Sequence, residues 1–283
     1  MSRTVLGGAA RLPERRYTGS MLSYLKRLDE VGFEKTRRAV AALALSFFIT
    51  MYLLVAMSVD SGWAPAFMAL SACYVVAFLA VTADWFWGRW FASGLGWSGV
   101  MVAVLSMVMI GWLPQLAVYG GLHGLVVLAL TGKKMAAQYD MQESWRQRYG
   151  MDEFGVARLR KTVTRAAASL PSLILWALGP KEGQGMWLAA AGIATLLTAA
   201  GGLRHLIQMR TAGWLMLAGA TASLWLLSSA SAPASLSVPA LHLLGPVGYA
   251  PALVGVPLFV ATLFLSLATL PFAVPALRYL RRG

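Results

Sequence analysis

Long apolar runs alternate with short polar segments along the chain, and this pattern predicts helices that cross a membrane. A helix needs roughly 20 consecutive apolar residues to span a bilayer core. Because the runs are continuous and do not alternate with a two-residue period, they favour helices over a transmembrane barrel. The sequence therefore predicts an all-α, polytopic membrane helix bundle with about eight spans, at 39–59, 64–83, 96–113, 114–131, 166–180, 185–201, 211–229 and 252–275.

The basic residues between these runs predict the orientation of the bundle. Cytoplasmic segments of membrane proteins carry an excess of Lys and Arg. With a cytoplasmic N-terminus, 23 of the 24 basic residues fall inside and only Lys181 falls outside. We therefore expect both termini to be cytoplasmic. Residues 230–251, rich in Pro, Ser and Gly, are expected to form an irregular outer segment.

Composition supports a membrane protein and weakens other classes. The chain is 58% hydrophobic and 12% charged, whereas an average soluble domain is about a quarter charged. Its net charge of +13 is explained by topology and by attraction to anionic lipid headgroups on the cytoplasmic side, so nucleic acid is not an expected partner. Abundant Ala, Leu and Arg suggest a GC-rich bacterial genome, hence a bacterial cytoplasmic (inner) membrane. The first apolar run is expected to be an uncleaved span.

Two stretches that enter apolar runs resemble each other and suggest an internal duplication. Asp29, Glu30 and Gly32 align with Asp152, Glu153 and Gly155 at an offset of 123 residues, and basic residues follow both. Thr82-Ala83 with Thr198-Ala199, and Gly96-Trp97 with Gly213-Trp214, extend the alignment at span ends and starts. The alternative is coincidence between ordinary helix starts, where carboxylates are favoured.

The duplication, if real, divides the chain into four parts. These are a basic N-terminal segment with an amphipathic helix (1–38), a first repeat of four spans (39–131), a basic amphipathic segment (132–165) and a second repeat of four spans (166–283). An even number of spans returns the chain to its starting side. The two repeats should therefore be parallel and related by an axis along the membrane normal.

The segment 133–149 is predicted to be a cytoplasmic amphipathic helix. Its larger apolar side chains fall within an arc of about 120° and basic residues flank them. Such a helix can lie in the headgroup layer, or it can dock a membrane or cytoplasmic protein partner. The residues proposed for this interfacial or partner surface are Met135, Tyr139, Trp145, Tyr149, Arg146 and Arg148.

The apolar runs contain one ionisable side chain well inside a predicted span, His123. Ionisable groups within membranes are costly and are usually functional. Gly120 and Gly124 beside it permit close helix packing. Two interpretations stay open, a neutral histidine bonded across a helix pair and a ligand-binding histidine. For the second, the proposed ligand-binding residues between the repeats are His123, Tyr119, Gln115, Thr221 and Ser223.

Catalytic chemistry finds little support in the sequence. Ser98 is predicted to lie near the cytoplasmic end of its span, about two turns from the level of His123, so this pair should not form a nucleophile and base. Asp84, Arg89, Arg204 and His205 form a weak constellation at span ends. We predict no catalytic residue, no metal site and no cofactor, and the question of enzyme activity stays open.

Two functional hypotheses follow. The first is transport, or the handling of a lipid or small molecule, through a cavity between the two repeats. The alternative is a non-catalytic membrane subunit or scaffold that docks a partner through its basic cytoplasmic helices.

Overall fold

The computed structural model describes residues 32–59, 62–140, 142, 146–147, 150, 152–180, 186–210, 212–230 and 250–280, without the side chains of 228–230, 250–255 and 273–280. Within these ranges the chain is helical and contains no strand. The helices are α1 (Phe33–Ser58), α2 (Ala64–Thr82), α3 (Gly88–Ile110), α4 (Pro114–Leu130), α5 (Lys133–Asp140), α6 (Glu153–Leu178), α7 (Met186–Ile207), α8 (Ala212–Ala230) and α9 (Ala250–Leu280).

Several of these helices are long and apolar enough to cross a membrane. Among the described residues, α1, α2, α3 and α7 meet that requirement. A fifth candidate is α4 taken together with α5, which bends away from it by 73°. The described apolar parts of α8 and α9, Ala212–Leu227 and Val256–Phe272, are shorter. The prediction of a multi-pass, all-helical membrane protein is confirmed, with four to five candidate spans; eight spans are not shown.

Two helices begin well before the apolar runs that predicted them. The run at 96–113 belongs to α3, which begins at Gly88, and the run at 166–180 belongs to α6, which begins at Glu153. The side chain of Asp152 caps α6 by accepting a hydrogen bond from the Gly155 N–H at 2.6 Å. Helices extend past a bilayer into water, so apolar length underestimates helix length.

The helices pack as two rings of four. In the first ring α1 contacts α2, α2 contacts α3, α3 contacts α4 and α4 returns to α1. In the second ring α6, α7, α8 and α9 follow the same order and α9 returns to α6. We call these rings the N-terminal and C-terminal halves. They meet where α6 packs against α2 and α3 and where α9 packs against α3.

The helix ends do not match the proposed alignment of repeats at every point. Thr82 is the last residue of α2, but Thr198 lies nine residues before the end of α7. Gly96 lies eight residues into α3, whereas Gly213 is the second residue of α8. Asp29 and Glu30 lie outside the described residues. The shared ring order agrees with a duplication and these offsets do not, so the duplication stays a prediction.

Small residues bring the two halves into contact along α3 and α6. A side chain added at Gly94 would lie against the carbonyl oxygen of Thr164, and 2.7 Å from Cβ of Ala167. Interfaces between membrane helices depend on such close packing, because lipid supplies little hydrophobic driving force between helices. Gly94 therefore sets how closely the halves approach.

We expect Gly94→Val to separate α3 from α6 and to lower the melting temperature in detergent by about 5 °C, because overpacking costs about 1–3 kcal/mol. Cys73 is buried, so a thiol-reactive fluorophore reports unfolding directly. The matched control is Gly121→Val on α4, where an added side chain meets nothing within 4 Å. Equal melting temperatures for the two variants would contradict the close contact.

Candidate functional site

His123 lies inside the N-terminal half, surrounded by aromatic side chains. Its ring is fully buried. Nε2 is 2.7 Å from the hydroxyl of Tyr74 on α2, and Nδ1 is 2.9 Å from the carbonyl oxygen of Tyr119 one turn earlier on α4. Because a carbonyl only accepts, Nδ1 carries the proton, and the Tyr74 hydroxyl donates to Nε2. Both nitrogens are thus engaged by the protein, which favours the packed, neutral interpretation.

The tyrosines around His123 extend this polar cluster towards α1. The hydroxyls of Tyr52 and Tyr119 are 2.9 Å apart. The ring of Phe48 packs on the imidazole with a centroid distance of 3.7 Å. A side chain at Gly99 of α3 would collide with the imidazole, so three neighbouring helices enclose the ring. The cluster joins α1, α2 and α4 through polar groups that satisfy one another, and α3 closes it through the packing of Gly99.

The structure brings together only some of the predicted ligand-binding residues. His123 and Tyr119 are adjacent. Gln115 is on the same helix but exposed, about two turns from His123 at 1.5 Å per residue. Thr221 and Ser223 are partly buried on α8, which packs against α7 and α9 in the other half. Thr221 donates its hydroxyl hydrogen to the carbonyl of Leu217. Ligand binding by this set stays a prediction.

Ser98 does not lie at a helix end remote from His123, contrary to the prediction. Because α3 begins at Gly88, Ser98 lies in mid-helix, and the neighbouring Gly99 packs against the imidazole. The serine is nevertheless not activated. Its buried hydroxyl makes no hydrogen bond within the described part of the chain, and both histidine nitrogens are bonded elsewhere. A nucleophile and its base must be hydrogen-bonded or nearly so.

The short helix α5 folds back beneath the N-terminal half. Met135 and Tyr139 are fully buried, and the Tyr139 hydroxyl donates to the carbonyl of Val81 at 2.8 Å. These two residues were expected at an exposed interfacial or partner surface; instead, their apolar stripe faces the bundle. Arg146 is partly exposed. Trp145, Arg148 and Tyr149 lie outside the described residues.

Asp140, the last residue of α5, has a buried carboxylate that accepts hydrogen bonds from side chains of two other helices. Arg89 of α3 forms an ion pair with it, with Nε 3.1 Å from Oδ1, and Trp90 donates its indole N–H to Oδ1 at 2.7 Å. The Arg160 guanidinium of α6 lies 3.4 Å from Oδ2. The side chain of Asp140 is 1% exposed. One carboxylate thus joins α5 to both halves.

A second carboxylate, that of Asp84, also forms an ion pair, but this pair is more exposed to solvent than the pair of Asp140. Asp84, between α2 and α3, forms an ion pair with Arg38 of α1, and their side chains are 40% and 27% exposed. Gln138 of α5 donates to the same carboxylate at 3.2 Å. The proposed constellation of Asp84, Arg89, Arg204 and His205 is therefore divided, because Asp84 and Arg89 each have a separate partner.

A cavity of about 370 Å³ opens between the two halves beside Asp140. Each half contributes two helices, α3 and α4 from one and α6 and α9 from the other. We call it the inter-half cavity. It is lined by Arg89, Trp90, Ser93, Trp97, Val127, Thr131, Arg160, Lys161, Thr164, Arg165, Ala168, Phe264 and Leu267.

The lining of the inter-half cavity changes from cationic to apolar along the helix axes. Arg89 of α3 and Arg160 of α6 both contact Asp140, and further along the two helices Gly94 packs on Thr164 and Ala168. The two helices therefore run in the same direction, with Arg89 and Arg160 at the same height. Trp97 and Ala168 each follow their arginine by eight residues, or about 12 Å at 1.5 Å per residue. The charged end therefore lies towards the N-terminal ends of α3 and α6, and the apolar end lies further along both helices.

The sequence contains a partial signal for this cavity. On α6, Arg160, Thr164 and Ala168 recur every four residues, which is the spacing of one helix face. That face changes from charged to polar to small, yet nothing in the chain indicates which other helices complete it. The remaining lining comes from residues up to 178 positions apart, between Arg89 and Leu267.

Comparison with protein families, with curated proteins and with solved structures finds no match for this chain.

We expect Asp140→Asn to lower the free energy of unfolding by about 3–5 kcal/mol, because it leaves the buried Arg89 charge without a counter-charge. Asp84→Asn, the same change at the exposed pair, should cost less than about 1 kcal/mol. Unfolding of both variants in mixed detergent micelles measures the difference. Similar losses for the two would show that Asp140 is not the anchor of α5.

Proposed function

We propose that this protein handles a lipid or another amphipathic small molecule, for binding or transport, in the inter-half cavity. The observation that carries the proposal is the polarity of the lining, with Arg89, Arg160 and Lys161 at one end and Trp97 and Phe264 at the other. A ligand with a polar head and an apolar body matches both ends. At about 370 Å³ the cavity falls within the usual range of ligand sites, about 300–1,000 Å³.

The proposal includes a topology of eight spans in two parallel repeats, with both termini in the cytoplasm of a bacterial inner membrane. The shared ring order of the two halves supports the repeats. The distribution of 23 of 24 basic residues supports the orientation. In that orientation the starts of α3 and α6 lie at the cytoplasmic leaflet. The cationic end of the cavity is then level with lipid headgroups.

The packing of α5 does not favour the alternative of a scaffold docked through this helix. Partner surfaces depend on a few large anchors at their centre. Met135 and Tyr139, two of the proposed anchors, are instead buried in the bundle.

We expect Ser93→Phe to fill the cavity and to remove the bound amphiphile. Ser93 is a partly buried lining residue of α3. The protein is extracted from native membranes in mild detergent, and the lipids and small molecules that it retains are identified by native mass spectrometry. One amphiphile should copurify with the wild type and should fall about tenfold in the variant, as expected for a loss of about 1.4 kcal/mol of binding energy.

The matched control is Ser58→Phe, the same change at an exposed residue at the end of α1. It should retain the amphiphile at the wild-type level. Thermal unfolding of both variants excludes misfolding as the cause of loss. If Ser93→Phe, folded normally, retains the same molecules in the same amounts, the cavity is not the binding site.

A further inference from the structure

We propose that the ligand of the inter-half cavity is an anionic phospholipid, with its phosphate bound by Arg160, Lys161 and Arg165 of α6. This inference rests on the proposed function and adds the chemical class of the ligand. It is carried by three features of the cavity, namely an excess of positive charge, several kinds of donor on two turns of one helix, and apolar side chains beyond them.

The cationic end of the cavity holds more positive charge than its carboxylates neutralise. Four cations line it, Arg89, Arg160, Lys161 and Arg165, and no carboxylate belongs to the lining. Asp140 pairs with Arg89 and approaches Arg160 from outside the lining. In the described part of the chain, no carboxylate forms an ion pair with Lys161 or Arg165. At least two positive charges are therefore left for a ligand.

Arg165 shows how this charge is held in place. One of its guanidinium nitrogens donates to the carbonyl oxygen of Leu267 on α9 at 2.7 Å. That bond orients the side chain across the junction of the halves, but a carbonyl carries no net charge. Partly buried cations in a membrane protein are costly unless an anion compensates them. A bound anion would supply this compensation.

The donors favour a phosphate among possible anions. Arg160, Lys161, Thr164 and Arg165 occupy two successive turns of α6 and line the same cavity, so guanidinium, ammonium and hydroxyl donors are available to one ligand. A tetrahedral phosphate offers several acceptor oxygens to such donors, whereas a carboxylate offers two in one plane. Basic pockets between membrane helices at the cytoplasmic side are a known form of site for phosphate-bearing lipid headgroups.

The apolar end provides hydrophobic side chains against which acyl chains can lie. Ala168 and Phe264 continue into a packed apolar cluster with Val256 and Val260 of α9, and Met101, Val102 and Leu105 of α3 lie against it. A volume of about 370 Å³ suits a headgroup and the first carbons of its chains, so the rest must leave along α3 and α9. A free phosphate ion would not need this end of the cavity.

Tryptophan quenching by brominated lipids tests the proposal, because Trp97 lines the cavity. The purified full chain in detergent is titrated with phosphatidylglycerol or phosphatidylcholine carrying bromine on the acyl chains. A Trp97→Phe variant measures the quenching of the other tryptophans. We expect the Trp97-dependent quenching to be half-saturated at about tenfold lower phosphatidylglycerol than phosphatidylcholine, since charge-assisted hydrogen bonds to one anion contribute on that scale.

The double variant Lys161→Gln/Arg165→Gln should lose this preference and bind the two lipids equally. Its matched control is Arg158→Gln/Arg204→Gln, which removes the same charge from two exposed positions outside the lining and should keep the preference. Thermal unfolding of both variants confirms that they fold. Loss of the preference in both would overturn the assignment to Lys161 and Arg165, because surface charge alone would then explain it.

Titrations with Ser93→Phe, with a brominated fatty acid and with inorganic phosphate distinguish failure of this inference from failure of the proposed function. If wild type binds both lipids equally while Ser93→Phe weakens both, the inference of an anionic phospholipid is wrong and the proposed function stands. If Ser93→Phe changes neither titration, the proposed function fails as well. A brominated fatty acid that binds as tightly as phosphatidylglycerol would overturn phosphate in favour of carboxylate. Inorganic phosphate that displaces the lipid at equal or lower concentration would indicate a soluble phosphate ligand.

Discussion

The ion pairs and hydrogen bonds of the buried Asp140 carboxylate are the interactions on which the end of the bundle that contains α5 depends. This carboxylate accepts hydrogen bonds from Arg89 and Trp90 on α3 and forms a longer ion pair with Arg160 on α6. Removing such a group from water is costly, and the cost is offset only when its lone pairs are well satisfied. Here one carboxylate holds α5 in place at its 73° bend from α4. The same carboxylate connects both halves.

This arrangement also determines where a ligand can bind. Asp140 pairs with Arg89 from outside the cavity lining and partly neutralises the charge of Arg160. Lys161, the next residue, and Arg165, one turn further along α6, line the cavity. Above them the lining becomes apolar. The site therefore reproduces, over about 12 Å, the change from headgroup to hydrocarbon that a bilayer presents. The His123 cluster is different in kind, because its polar groups satisfy one another and bind the N-terminal half together.

The sequence predicts the helical, multi-pass class of the fold well, since continuous apolar runs leave few other solutions. It predicts helix starts less well. The parts of α3 and α6 that precede their apolar runs, 88–95 and 153–165, are missed by an apolar window, yet they carry Arg89, Arg160 and Lys161. The stripe of Met135 and Tyr139 correctly indicates that one face of α5 is buried, but an amphipathic pattern does not say whether lipid, a partner or the same chain covers it.

A cavity between the two halves is expected from the sequence, but its lining could not have been predicted, because it comes from four helices whose packing order is a tertiary property. A photoactivatable phosphatidylglycerol, with a diazirine near the start of one acyl chain, tests its role most directly. After irradiation of the protein in bilayers, mass spectrometry locates the labelled residues. Lipid binding in the inter-half cavity predicts labels concentrated on α3 and α6 at residues 93–97 and 164–168. Labels spread evenly over lipid-exposed positions such as Leu215 of α8 would contradict it.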